Sequence, residues 1–121
     1  MLENNFNISI PDEWLNGNED DFFVLSVKDN SYHPHFNEGD LLIICRDLSK
    51  LEENDIRVYE INGAFELRKY VLINNFTEIL EGITPFIPPL IYSGFELCGF
   101  VYMRISNYRQ GAADYGTNET N

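Results

Sequence analysis

Positive charge is scarce in this sequence: eight lysines and arginines stand against twenty aspartates and glutamates, for a formal net charge of -12. A DNA duplex carries one phosphate charge per roughly 1.7 Å and is repelled by such a surface, so the chain is not expected to bind nucleic acid directly. Cysteine is scarce too. Only Cys45 and Cys98 occur, each inside an apolar run, where a free thiol behaves as a small hydrophobe; both are read as structural thiols and not as a metal or redox pair. Long hydrophobic runs are missing, and nothing approaches the roughly 18 residues of a membrane span. The start, Met-Leu-Glu-Asn-Asn-Phe-Asn, has neither the basic nor the apolar region of a secretory leader. A soluble, cytoplasmic chain without a membrane partner is expected. Helical periodicity of 3.6 residues is nowhere sustained, and there is no internal repeat.

What remains is apolar and aromatic. Hydrophobic residues make up 44% of the 121 positions, with nine Phe and seven Tyr, enough for one domain with its own core and no covalent staples. The pattern is that of an all-β fold of twisted antiparallel sheets. Residues 1–21 are polar and acidic and read as a lead-in arm around Ile8, Ile10, Pro11 and Trp14. Phe22 to Val27 is rich in aromatic and β-branched residues and stops at Lys28-Asp29-Asn30, a strand ending in a turn. Asn37-Glu38-Gly39-Asp40 introduces Leu41-Leu42-Ile43-Ile44-Cys45, an apolar run short enough for a buried strand. Ile56 to Ile61 and Ala64 to Leu72 flank Asn62-Gly63, which supplies the positive φ angles of a tight hairpin turn. Phe76 to Ile83 reads as a further strand. Thr84 to Pro89 contains three prolines without an N–H and belongs to an edge or a loop. Phe95 to Ile105 is the final strand, with Gly99 marking a bulge or a close backbone approach. Residues 22–105 form the domain, and 106–121 a flexible tail.

A serine stands at the junction of strand and turn, in Val27-Lys28-Asp29-Asn30-Ser31-Tyr32-His33-Pro34-His35-Phe36-Asn37-Glu38-Gly39-Asp40. This stretch resembles the LexA-like repressors and their self-cleaving relatives. There a strand runs into Lys-Gly-Asp-Ser-Met-x-Pro-x-x-x-x-Gly-Asp, and Ser31, Pro34, Gly39 and Asp40 fall on the matching positions. Ile10-Pro11-Asp12-Glu13-Trp14-Leu15 is similar to the arm before this domain in phage-type repressors, and Leu97-Cys98-Gly99-Phe100-Val101 to their last strand. The resemblance spans residues 8 to 105 and implies a Ser–Lys dyad, with Ser31 as nucleophile and a desolvated lysine as its base.

The lysine is where the chain departs from the pattern. The family's Thr-Leu-Lys-Arg-Val is matched by Glu66-Leu67-Arg68-Lys69-Tyr70, which sets Arg68 on the lysine position. A guanidinium stays protonated and cannot take a proton from Ser31. Counting from the Asn62-Gly63 turn instead brings Lys69 there, and because neighbours on a strand face opposite sides, only one of the two can point at Ser31. The flanking apolar residues favour Arg68 and a catalytically impaired relative. No Ala-Gly or Cys-Gly bond precedes Ser31, so the chain is expected either to begin after a cleavage point or to have lost self-cleavage. Cys98-Gly99 is read as structural.

The resemblance implies a homodimer that supports a repressor whose DNA is held by a separate helix-turn-helix domain. Two alternatives stay open: an active Ser31–Lys69 self-cleaving peptidase, and a UmuD-like polymerase accessory subunit. His33 and His35 read as exposed loop residues, so neither a metal nor a cofactor is expected. Glu38 and Asp40 read as turn chemistry rather than as an acid–base pair. Trp14 and Tyr32 fit either a partner surface or aromatics closing the end of a small β domain.

Overall fold

The computed structural model describes residues 1–15 and 17–106. Eight strands form one sheet: β1 Leu2–Asn4, β2 Phe22–Val27, β3 Leu41–Cys45, β4 Arg57–Ile61, β5 Ala64–Ile73, β6 Thr77–Gly82, β7 Leu90–Ile91 and β8 Glu96–Ile105. Their order is β1-β2-β3-β8-β4-β5-β6-β7, every neighbouring pair antiparallel. The fold is all-β, as the strand pattern implies. Its helical content is three short 3-10 turns at Asp12–Trp14, Glu19–Asp21 and Leu48–Lys50, and no helix among the described residues is long and apolar enough to cross a membrane.

Local chemistry explains the clearest connection. Asn62 (φ 53°) and Gly63 (φ 81°) both take the left-handed conformation, so two residues suffice to turn β4 into β5, with Ile61 opposite Ala64. β3 is buried at every position because both of its faces are covered. Leu42 and Ile44 join Leu25, Val27, Val58 and Leu67 in the main core, while Ile43 and Cys45 pack with Phe22 and Phe100 on the other side. A register slip of one residue would exchange the two sets, and burying a side chain of this size contributes about 1.5–3 kcal/mol, so the register is firmly held. Leu2 on edge strand β1 reaches the same core as Leu67 on β5, which shows how far the sheet curls.

Two features were hidden in the sequence. The lead-in arm contains β1, paired Leu2 to Val27, and its Ile10 and Leu15 pack on the outer cluster of Phe22, Ile43 and Phe100. β7 follows the proline-rich loop, where Leu90 and Ile91 pair with Leu80 and Ile79. β8 carries the irregularity marked by Gly99. It has one extra residue, Cys98, against β4 and another, Tyr102, against β3. A Cβ at Gly99 would lie 2.4 Å from the Cys45 carbonyl oxygen, so only glycine lets the two strands approach there. Cys98-Gly99 thus sits inside the ladder. Cys45 and Cys98 are both free thiols, and burial pushes the Cys98 thiol up, away from the reactive thiolate. Of the tail, residues 107–121 lie outside the described residues.

Candidate functional site

The segment from Lys28 to Asp40 leaves β2, crosses one end of the curled sheet and returns as β3. Two buried aromatics, Tyr32 and Phe36, anchor it in the main core. The Tyr32 hydroxyl accepts a hydrogen bond from the Leu67 N–H at 3.1 Å, which ties the segment to β5, and burial raises the hydroxyl's pKa. Gly39 takes a left-handed φ of 95°, and its N–H donates to the Val27 carbonyl at 2.9 Å. Asp40, fully buried, accepts the Asn37 N–H at 2.9 Å, while its own carbonyl accepts the Val27 N–H at 2.9 Å. Gly39-Asp40 therefore closes the loop. From the far side Arg104 of β8 donates to the His35 carbonyl and lies 5.8 Å over the Phe36 ring.

Ser31 sits on the tight turn Asn30 to His33, closed by the His33 N–H on the Asn30 carbonyl at 3.1 Å. It is exposed. Its hydroxyl donates to Asp29 Oδ1 at 2.6 Å, and its N–H donates to the same oxygen at 3.1 Å. The Asp29 carboxyl is held down at about 2, first by the chain's terminal ammonium and then by these bonds from Ser31. So acidic a carboxyl is a poor base for a hydroxyl. An open cleft in front of Ser31 is lined by Asn30, Ser31, His33, Asn37 and Phe86. His33 and His35 are both exposed, and the His33 Nδ1 is bonded to Asn37 Oδ1 at 2.6 Å.

Arg68 and Lys69 lie in opposite environments. Arg68 is only 5% exposed. Its Nη2 and Nε donate to Glu66 Oε1 at 2.9 and 3.2 Å, and its Nη1 donates to the Pro88 and Leu80 carbonyls at 2.7 and 3.2 Å. These bonds turn the guanidinium toward β6 and the proline-rich loop. Gly82, opposite Arg68 on β6, makes room for that loop, since a Cβ there would lie 2.4 Å from the Ile87 carbonyl oxygen. Lys69 is exposed and stands opposite Glu81. Among the described residues no hydrogen bond joins Ser31 to Arg68 or to Lys69, and the hydroxyl of Ser31 is bonded to Asp29 instead.

The family model described as Peptidase S24-like matches residues 2–85, well over half of the chain. This chain belongs to the peptidase S24-like family. The match takes in β1 to β6 and with them Ser31, Arg68 and Lys69. No curated protein matches the chain. Within the matched stretch Arg68 is built into the wall between β5, β6 and the loop that follows.

Three participants escaped the sequence reading. Asp29 was legible in principle, since an Asp two residues before a Ser commonly takes its N–H and hydroxyl. Glu66 was legible as well, being two residues before Arg68 and so on its face of the strand. The His33–Asn37 pair was not, because it depends on how the loop around Pro34 folds back.

Proposed function

We propose that this chain is the self-association module of a LexA-like or phage-type transcriptional repressor in which the Ser–Lys dyad has been lost. The observation that carries the reading is Arg68. Its flanking apolar residues favour it for the position of the family's lysine, and it makes four hydrogen bonds to Glu66, Leu80 and Pro88 that bind it into the fold. A permanently charged guanidinium, tied down in this way, cannot deprotonate a hydroxyl. Ser31, bonded to a weakly basic carboxylate, is then left without its usual partner.

The remaining task is association, with two copies forming a homodimer and so raising the affinity of separate helix-turn-helix domains for paired half-sites. A formal net charge of -12 is in keeping with a cytoplasmic module that leaves DNA contact to another domain. The test is a longer precursor carrying the upstream linker, incubated at alkaline pH, where a lysine base would be fully deprotonated. It should remain one intact chain by mass. Cleavage that stops in both Ser31→Ala and Lys69→Ala would overturn the loss of the dyad and establish Ser31–Lys69 as an active peptidase pair. Stable co-purification with a translesion polymerase would replace the repressor role with that of a UmuD-like accessory subunit.

A further inference from the structure

We propose that Ser31 remains a nucleophile, served by His33 in place of the lysine, and that the cleft they share accepts small carboxylic esters. The inference goes beyond self-association and rests on the cleft that Ser31 lines. Ser31 and His33 are the second and fourth residues of a tight turn, and both line the same open cleft. The histidine is oriented. With Asn37 Oδ1 accepting at 2.6 Å, Nδ1 carries the ring's proton and Nε2 is the nitrogen free to accept one. Asn37 is itself fixed, its N–H held at 2.9 Å by the fully buried Asp40. A chain of fixed groups thus runs from the core to the imidazole, the logic of a base held by a third residue.

Asn30 supplies a further polar group. Its Oδ1 accepts the Glu38 N–H at 3.3 Å, and its Nδ2 is the donor that this cleft-lining residue would offer a developing oxyanion. Phe86, 89% exposed, is the apolar wall against which an acyl chain can lie. In the resting arrangement the Ser31 hydroxyl donates to Asp29. The reaction requires rotation about the Ser31 Cα–Cβ bond to break the hydrogen bond to Asp29 and turn the hydroxyl into the cleft it shares with His33.

The reaction balances with an ester as the only co-reactant besides water. Ser31 Oγ bonds to the ester carbonyl carbon while its proton passes to His33 Nε2. The tetrahedral adduct then expels the alkoxide or phenoxide, which takes that proton, leaving an acyl-Ser31. Water attacks the acyl carbon with His33 again as base, releasing the carboxylic acid and restoring the hydroxyl.

The test uses p-nitrophenyl butyrate with the full chain, reading nitrophenolate release together with the acyl mass on each peptide. Acylation should appear on Ser31. Ser31→Ala should remove it, and His33→Gln should slow it about a hundredfold, the size of a general-base contribution. Both residues are exposed, so neither change threatens the fold. Asn37→Ala should slow it less, with Asn37→Asp restoring the acceptor and the rate. Acyl mass found only on other residues, or Ser31 acylated equally fast in His33→Gln, overturns the proposal. Neither result alters the oligomeric state, so this reading and self-association fail independently.

Discussion

Arg68 and Ser31 show two ways of holding a polar side chain. The guanidinium is buried and bonded to three residues from two strands and a loop, so it is part of the wall of the molecule. The serine hydroxyl is exposed and bonded to one carboxylate two residues away. The contrast teaches that Arg68 serves the packing of the fold, whereas Ser31 stays at the surface and accessible.

Substitution should expose that difference directly. Arg68→Ala removes four hydrogen bonds and leaves the partly buried Glu66 and two carbonyls without their donors, and it should lower the unfolding free energy in urea by about 3 kcal/mol. Lys69→Ala, one residue along but exposed, should stay within about 0.5 kcal/mol. Equal costs for the two would erase the distinction between wall and surface.

The turn can be divided in the same way. Tyr32→Phe leaves the buried Leu67 N–H without its acceptor and should cost about 1–2 kcal/mol. Ser31→Ala, at an exposed position, should cost no more than about 0.5 kcal/mol. For Asp29 the sign of the effect is fixed. Its carboxyl is lowered from 3.8 to about 2 in the fold, so the unfolded chain takes up the proton first as pH falls. The contribution is whole above the unfolded value and is lost as pH falls through the folded one. Acid titrations of the wild type and of Asp29→Asn should therefore differ in stability by a constant amount above about pH 5 and converge toward pH 2.

Much of this was legible where chemistry is local. Asn62-Gly63 announces its turn through two residues that tolerate positive φ, and Leu41 to Cys45 announces a buried strand by having no polar position. β1 and β7 are silent because strands of three and two residues carry no alternation, and their ladders are supplied by β2 and β6. The opposition of Arg68 and Lys69 follows from the period of a strand. The partner of Arg68 at Pro88 does not, since it comes from a loop twenty residues farther on whose path depends on the gap left by Gly82.

Sedimentation of the full chain at high micromolar concentration bears most directly on the claim that the fold has been kept for association. A homodimer that persists on moderate dilution is the predicted result, and a strict monomer throughout would contradict it.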